Sequence, residues 1–376
     1  MPILPFFAGY VPAIAVALGL AWGGPWMAIP SVLVWVIVPL ADHFGGIETR
    51  WGEGMVEDSW RYRWLVRSWA PLQVAIYTWG IAVASSTDYS VVHRCMAVFN
   101  MGLLGGATGI TFAHELMHRA RWIDRALAEL LMTSVTYPWF CVEHVHGHHK
   151  RVATPEDPAT SRYGEPLYTF LARSYFGGLA SAIELDEGLL KRRKRSKWHI
   201  SSAVWRYGAT TLSYYTLAGL LGGWSAVAAV LGLSITAVGM LEGINYLEHY
   251  GLVRKKEVSR SGKVRYERVR PHHSWNSSHR VSNFMLLNLA RHSDHHAHAS
   301  RAWERLRHID DAPQLPSGYG AMFLLTFIPP LWFRVMNPLV IQWRIAHGVD
   351  LPERARQKRG SMKWGRLLIN ATQRLL

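Results

Sequence analysis

Histidine is the residue type with the clearest chemical potential in this sequence, because most of its 19 copies fall into four short segments. These segments are 114–118, 143–149, 248–251 and 272–298. Neutral imidazole is the commonest protein ligand for transition metals. Since a protein site supplies about three or four ligands to one ion, the four segments hold enough histidines for two ions.

The first segment, His114-Glu-Leu-Met-His118, matches the H-E-x-x-H signature of zinc metalloproteases. On a helix the i, i+4 spacing places both imidazoles on one face, and Glu115 could act as a general base. Such a protease needs one further ligand and an open position for water. It would leave most of the other histidines without a role. A membrane zinc protease is therefore the alternative to a two-metal site.

The spacing of the other histidines also fits a pair of ions. If 143–149 is α-helical, His144 and His148 share a face, and His149 is rotated by about 100° toward a second metal. The last segment repeats this logic with i, i+3 and i+4 spacing. Imidazole ligands alone do not select the metal. A pair of partly open, imidazole-bound ions beneath a membrane suits dioxygen activation, which favours iron over closed, four-coordinate structural zinc.

Apolar segments must position these histidines. The mean hydropathy is only +0.03, but several runs approach or reach the roughly 20 apolar residues that cross a bilayer. We predict an all-α integral membrane protein, a single domain over residues 1–376, with about six transmembrane helices and a cytoplasmic-side histidine-rich helical cap. The predicted spans are 3–22, 26–40, 69–85, 95–113, 209–221 and 224–246, and the cap covers 114–207 and 247–320.

The histidine segments reach the same side of the membrane only if the apolar stretch 126–142 does not cross it. The loops assigned to the outside are 23–25, 86–94 and 222–223. Arg94 is their only Lys or Arg, whereas 191–197 on the inside holds six, as the positive-inside rule requires. A last apolar stretch, 321–335, is broken by two prolines. We therefore expect a multi-pass protein of the bacterial inner membrane with its active site on the cytoplasmic side.

The net charge of +15 has two interpretations. Membrane orientation and attraction to anionic lipid account for such a surplus, and it could also steer an acidic soluble partner to the cytoplasmic face. We expect no nucleic-acid partner, because the basic residues flank membrane spans and no nucleic-acid motif accompanies them. The two cysteines, Cys95 and Cys141, are too few for an iron–sulfur centre.

Taken together, the motifs resemble the membrane-bound alkane 1-monooxygenases, which belong to the histidine-rich integral-membrane diiron group that includes fatty-acid desaturases. The resemblance runs from about residue 34 to 338 and rests on the first two histidine segments together with Asn245-Tyr-Leu-Glu-His-Tyr-Gly-Leu252 and Asn288-Leu-Ala-Arg-His-Ser-Asp-His-His-Ala297. The Asn-Tyr-x-Glu-His-Tyr-Gly element separates this family from desaturases. The resemblance implies a monooxygenase that uses O₂ and two iron ions to convert terminal methyl groups of alkanes into primary alcohols.

The resemblance also implies roles for individual residues. Nine iron ligands are expected: His114, His118, His144, His148, His149, His249, His292, His295 and His296. Carboxylates expected to support these ligands are Glu115, Glu143, Glu248, Asp294 and Asp157. The remaining clustered histidines, expected to form hydrogen bonds or lie at the surface, are His146, His272, His273, His279 and His298. Trp35 resembles a position that sets the depth of the substrate channel, although it could equally be a packing or lipid-facing aromatic.

Two residues of the first motif depart from the alkane enzymes. Met117 and Arg119 stand where those enzymes usually have Gly and Lys, and they look closer to the xylene monooxygenases. The alternative substrate class is therefore an aromatic methyl group rather than a medium- or long-chain alkane.

Electrons must come from outside the chain, since it has no thiolate cluster, flavin fingerprint or Rossmann glycine pattern. The resemblance implies rubredoxin and its NAD(P)H-dependent reductase as partners. A small acidic carrier would fit the basic face near 272–307, and the substrate would enter laterally from membrane lipid.

The topology can be tested with reporter fusions. We expect fusions at Gly24, Ser86 and Gly223 to report a periplasmic location and a fusion at Arg195 to report a cytoplasmic one, because basic loops are retained inside. A periplasmic signal at Arg195 would contradict the topology.

Overall fold

The computed structural model describes residues 3–52, 60–259 and 261–353. Its regular structure is almost entirely helical. In chain order the helices are α1 (Leu4–Trp22), α2 (Gly24–Gly45), α3 (Trp60–Arg67), α4 (Trp69–Ser85), α5 (Val91–Met117), α6 (Trp122–Ser134), α7 (140–151), α8 (Leu167–Arg192), α9 (Ala203–His249), α10 (Arg280–Met285), α11 (His292–Ala297), α12 (Tyr319–Thr326) and α13 (Pro329–Ala346). An antiparallel hairpin of β1 (Lys256–Val258) and β2 (Val264–Tyr266) follows α9.

Two glycines in the same conformation reverse the chain between apolar helices. Gly23 separates α1 from α2 with φ +63° and ψ −161°, and Gly223 interrupts α9 with φ +63° and ψ −160°. This region of backbone space is essentially restricted to glycine. A methyl group placed on Gly219 would lie 3.4 Å from Cγ2 of Val227, whereas residues eight apart in a continuous helix are separated by about 12 Å. Residues 203–222 and 224–249 are therefore two helices folded back on each other.

The apolar helices agree with the predicted spans in most respects. Four stretches of the described chain are long and apolar enough to cross a membrane, namely α1, α2, α5 and α9. The two limbs of α9 contain the predicted spans 209–221 and 224–246, although its first limb begins earlier, at Ala203. The predicted span 69–85 coincides with α4, which has 17 residues. The chain also breaks as expected between Thr326 and Pro329.

The stretch 126–142 forms no continuous helix. Its first part belongs to α6, which has 13 residues and a length of about 20 Å, less than the roughly 30 Å thickness of a bilayer core. The chain then turns through Thr136, whose φ is +52°, before α7 begins at Phe140. This geometry fits a segment that does not cross the membrane.

Close packing of α5 against the second limb of α9 positions the first histidine motif. At Gly102 the neighbouring helix comes so near that a methyl group would meet the Leu233 carbonyl oxygen at 2.8 Å. Small residues permit this kind of approach between apolar helices. Asn100 further ties α5 to α2 by donating a hydrogen bond from Nδ2 to the Met27 carbonyl at 2.9 Å. The helix continues without a break into His114, so its packing determines where that ring lies.

The turn at Gly223 provides a test of the hairpin. We expect Gly223→Ala to lower the free energy of unfolding by roughly 1–3 kcal/mol, because a side chain strains this backbone conformation. Gly188→Ala is the matched control, since Gly188 lies in α8 with open space around it, and alanine there should be neutral or stabilising. Thermal unfolding of both variants in the same detergent measures the difference. Equal midpoints would contradict the proposed requirement for glycine.

Candidate metal centre

The structure brings the nine histidines expected as ligands into two adjacent groups. Within each group the potential ligand atoms lie within 4.8 Å of one another. The first group contains His114, His118, His144, His149 and His295, and the second contains His148, His249, His292 and His296. The rings of His149 and His296, one from each group, have centroids 4.6 Å apart. The two groups therefore form one continuous centre.

Ring nitrogens point toward each other inside both groups. In the first, Nε2 of His144 lies 2.8 Å from Nε2 of His114 and 3.0 Å from Nε2 of His149. In the second, Nε2 of His296 lies 2.8 Å from Nε2 of His292 and 3.3 Å from Nε2 of His148. Nitrogens bound about 2.1 Å from one metal are about 3.0 Å apart at right angles and about 3.4 Å apart in a tetrahedron. The observed separations match the edges of a coordination shell.

Two further ring nitrogens make the fit to metal ions stronger. Nε2 of His118 and Nε2 of His249 are buried and have no hydrogen-bond partner among the described residues. Burying such a group without a partner costs free energy. Each group contains one of these two rings, and a metal ion in each group would satisfy it.

Burial keeps most of the rings neutral, as metal binding requires. Burial, followed by repulsion from neighbouring rings, lowers the pKa of His144, His149, His295 and His296 well below the ordinary value. These imidazoles retain a free lone pair at neutral pH. Burial also acts to lower the pKa of His148, but the charge and hydrogen bond of Asp157 outweigh it and raise that pKa above the ordinary value. Burial therefore keeps His144 and His149 of the second segment neutral.

A π-helix sets which ring of the second segment enters which group. Residues Glu143–His148 are π-helical, and the backbone N–H of His149 donates to the carbonyl of His144, five residues back. His144 and His149 consequently fall in the same group, while His148 turns to the other. The prediction from α-helical spacing, in which His144 and His148 share a face, is wrong. Such π segments frequently occur at functional sites.

The last segment is α-helical and divides its rings as its spacing predicts. In α11, His292 and His296 are four residues apart and enter the second group, while His295 enters the first. The buried Arg291 immediately precedes this helix and donates hydrogen bonds to the carbonyls of Glu48, Trp51 and Leu306. Burial lowers the pKa of Arg291 to about 10. This arginine thus joins three chain segments at the start of α11.

Two of the five carboxylates expected to support the ligands contact rings of the two histidine groups. Asp157 Oδ2 lies 2.9 Å from Nδ1 of His148 and also accepts a hydrogen bond from Thr160. Burial alone would raise the pKa of Asp157, but these two partners outweigh it and lower the pKa. A carboxylate in this position fixes the orientation of the ring and leaves Nε2 free.

Glu248 contacts the second histidine group on the side where its ring nitrogens face one another. Its Oε2 lies 3.1 Å from Nε2 of His292, the nitrogen that also faces His296. Its other oxygen, Oε1, accepts a hydrogen bond from the Tyr319 hydroxyl at 2.9 Å. Glu248 is thus placed among the ligand nitrogens rather than behind a ring.

The other three carboxylates hold arginines. Asp294 pairs with Arg301 and Arg307, and its Oδ1 lies 3.1 Å from Nδ1 of His298, which is outside both groups. Glu115 pairs with Arg119 at 2.5 Å. Glu143 pairs with Arg151 at 3.0 Å; burial, followed by the charge of Asp157, raises its pKa to about 7.

Sequence reasoning missed three residues around the centre. Tyr319 holds Glu248, and the buried Glu304 shares Arg119 with Glu115. Phe140 stacks on His144 with centroids 4.8 Å apart. Tyr319 lies outside the four histidine segments, so no motif described above marked it. Glu304 and Phe140 carry no motif signal.

The remaining clustered histidines lie outside both groups. His279 hydrogen-bonds Ser277 and His298 contacts Asp294, as expected for structural residues. His272 and His273 form a small third cluster with Glu267. There Nδ1 of His273 accepts a hydrogen bond from the backbone N–H of Arg270, so its Nε2 carries the proton. That ring has no lone pair to offer a metal ion.

Comparison with known proteins decides the family. A family model for fatty acid desaturases matches residues 90–336. The alkane 1-monooxygenase of Acinetobacter baylyi is 36% identical over 326 residues, covering 86% of this chain and 77% of the relative. Alkane 1-monooxygenase 2 of Pseudomonas aeruginosa is 38% identical over 327 residues, covering 85% and 84%. The chain belongs to the alkane 1-monooxygenase family.

A relative with another substrate name is also similar. The hydroxylase component of a xylene/toluene monooxygenase from Pseudomonas putida is 32% identical over 247 residues, covering 65% of this chain and 64% of the relative. Its identity and coverage are below those of the two alkane 1-monooxygenases. Two observations count against the zinc protease alternative. The chain belongs to the alkane 1-monooxygenase family, and His114 and His118 lie in one group with three other histidines.

An apolar cavity reaches the centre of this alkane 1-monooxygenase family member. Its volume is about 90 Å³, and its lining includes His114, His144 and His292 from the metal centre. At another part of the lining, Trp35 stacks on Phe323 with centroids 5.3 Å apart and an angle of 18° between the rings. Trp35 lies in the π-helical segment Leu33–Ile37 of α2. The structure therefore places Trp35 in the wall of a cavity that reaches the histidines.

Substitution of one ring in each group tests the centre. We expect His118→Ala and His249→Ala each to lose at least one of two bound metal ions, because each removes a ring whose Nε2 has no other partner. His146→Ala is the control from the same histidine-rich segment, since His146 belongs to neither group. Elemental analysis of protein purified in detergent gives the metal content. Full metal content in both variants, or equal loss in the control, would contradict the assignment.

Proposed function

We propose that the protein is a non-haem diiron monooxygenase that hydroxylates the terminal methyl group of medium- or long-chain alkanes to primary alcohols. The observation that carries the proposal is a pair of convergent histidine groups at the end of an apolar cavity, in a chain of the alkane 1-monooxygenase family. The nine histidines of the two groups would hold two iron ions. When bound, these ions would supply the activation of O₂.

The protein's own groups orient and shield this centre. Asp157 holds His148 by its Nδ1, and Tyr319 holds Glu248 by its Oε1. Such outer contacts orient ligands and tune a metal site. Phe140 covers one face of His144. The apolar lining of the cavity excludes water from the side on which an alkane would lie.

The lining of the cavity supports an apolar substrate. Trp35, Phe323 and Met240 line it away from the metal centre, and no charged side chain other than Glu248 lines it in the described part of the chain. An alkane has no polar group, so binding depends on burial of apolar surface, at about 25 cal/mol per Å². We propose that the alkane enters from membrane lipid and that the Trp35–Phe323 pair limits how far its tail extends.

Electrons would come from rubredoxin and its NAD(P)H-dependent reductase. The basic face near 272–307 lies directly beside the first histidine group, because Arg301 and Arg307 both pair with Asp294, the residue before His295. An acidic carrier docked there would be separated from the centre by little more than α11. Charge complementarity of this kind speeds association.

We further propose a multi-pass arrangement in the bacterial inner membrane with six spans and a cytoplasmic active site. In this arrangement α1, α2, α4, α5 and the two limbs of α9 cross the membrane. The glycine turns at Gly23 and Gly223 would lie outside, with the basic segment 191–197 inside. The positive-inside rule supports this orientation.

Hydroxylation of aromatic methyl groups is the second candidate. It is favoured by Met117 and Arg119 in the first motif and by the similarity to the xylene/toluene monooxygenase component. Both candidates require the same metal centre, so only substrate preference separates them.

Reconstituted turnover tests the proposed function. With rubredoxin, its reductase, NADH and O₂, we expect the iron-loaded protein to convert octane to 1-octanol with a higher kcat/KM than it shows for p-xylene. The reason for this expectation is the higher identity and coverage of the alkane 1-monooxygenases compared with the xylene/toluene monooxygenase component. Gas chromatography of products and oxygen consumption provide the measurement. A preference for p-xylene would support the second candidate, and peptide hydrolysis by a one-zinc protein without reductant would overturn both.

The Trp35–Phe323 pair yields a prediction about chain length. We expect Trp35→Ser to shift the preferred alkane to a longer chain, because removal of the indole opens the cavity at this point. Trp79→Ser is the matched control, since Trp79 is 41% exposed on α4 and does not line the cavity. The measurement is the product yield over a series of alkanes. An unchanged preference in Trp35→Ser would remove this residue from the substrate-limiting wall.

A further inference from the structure

A second, polar cavity lies on the other side of the metal centre. Its volume is about 740 Å³, and it is bounded by the ends of α5 and α8, by α6 and α7, and by the start of α9. His118 of the first histidine group reaches its wall. This cavity plays no part in the reaction proposed above.

Positive charge dominates the wall of this polar cavity. Its two carboxylates are already engaged: Glu129 accepts hydrogen bonds from Arg206 and Tyr207, and Asp186 accepts from Ser202 and the backbone N–H of Ala203. Arg125 and Arg193 also line the cavity. Neither guanidinium has a carboxylate partner among residues 3–52, 60–259 and 261–353. The cavity thus offers two uncompensated cations to an anionic ligand.

The mouth of the cavity has the features of a membrane interface. Arg193 belongs to the basic segment 191–197, which immediately precedes the first apolar limb of α9. Trp198 and Trp205 stack with centroids 5.0 Å apart and are 67% and 52% exposed. Ile200, between them, is 92% exposed. Exposed tryptophans beside a basic segment mark the headgroup level of a bilayer.

We propose that this polar cavity binds the phosphate of an anionic phospholipid from the leaflet that faces the basic segment. Guanidinium groups bind phosphate oxygens by bidentate, charge-assisted hydrogen bonds, and Arg125 and Arg193 supply them. Basic pockets at the cytoplasmic ends of transmembrane helices bind lipid headgroups in this way. The acyl chains lie against the exposed apolar side chains at 198–205.

A membrane lipid fits this site better than a free anion does. Ser201 lines the cavity and directly follows the exposed Ile200, whose apolar surface a small hydrated ion would leave in water. The six bases of 191–197 attract the anionic headgroups of that leaflet. The inference requires the proposed membrane orientation of α9 but not the proposed reaction.

The experiment compares the full-length protein in nanodiscs of phosphatidylcholine with nanodiscs that contain phosphatidylglycerol. We expect phosphatidylglycerol to raise the midpoint of thermal unfolding by roughly 5 °C, as a ligand bound well above its Kd does. The double variant Arg125→Gln, Arg193→Gln should lose most of this shift. The control Arg265→Gln, Arg268→Gln removes the same charge from two exposed arginines at the β-hairpin and should keep it.

The midpoint in pure phosphatidylcholine shows whether each variant is folded. Native mass spectrometry adds a second readout, in which the unmodified protein and the control retain a bound phosphatidylglycerol that the double variant loses. Equal shifts in the double variant and the unmodified protein would overturn the proposal. An equal loss in the control would also overturn it, as would a full shift produced by inorganic phosphate alone. Each of these outcomes is independent of alkane turnover.

Discussion

The convergence of nine imidazoles, seven of them buried, is the constraint on which the rest of the structure depends. Where ring nitrogens that face one another at about 3 Å both present lone pairs, they repel, and burial lowers the pKa of most of these rings, which disfavours protonation as a relief. A cation between the rings removes this cost. The helices around the centre must therefore be held firmly enough to keep the rings in place before a metal ion arrives. Arg291 with its three carbonyl partners and the close contact at Gly102 provide that rigidity.

The sequence predicted the members of the centre much better than their arrangement. Nine histidines and the glycine turns were recognisable because ligand spacing and glycine chemistry are local properties. The assignment of His144, His148 and His149 to the two groups was not recognisable. It depends on the π-helix, whose hydrogen bonds span one residue more than those of the α-helix assumed from the sequence. Roles of the acidic residues were also hard to predict, since an adjacent carboxylate can turn to a histidine or to an arginine. Glu115, Glu143 and Asp294 form ion pairs with arginines, and the fold determines which arginines lie near them.

Two cavities of opposite character meet the metal centre. The apolar cavity reaches His114, His144 and His292, whereas the polar cavity reaches His118. The imidazoles therefore form the boundary between a region suited to hydrocarbon and a region suited to charge. A centre placed at such a boundary can receive an insoluble substrate from one side while charged groups of the protein lie on the other.

The two histidine groups are interlocked through shared helices. The π-helix in α7 and the short helix α11 each direct rings to both groups, so neighbouring residues on one backbone enter different groups. The relative placement of the two groups therefore follows from the rotation between consecutive residues of a helix. A displacement of either helix would perturb both groups at once. The two histidine groups are therefore coupled through α7 and α11, so that a fold which places the rings of one group also places rings of the other.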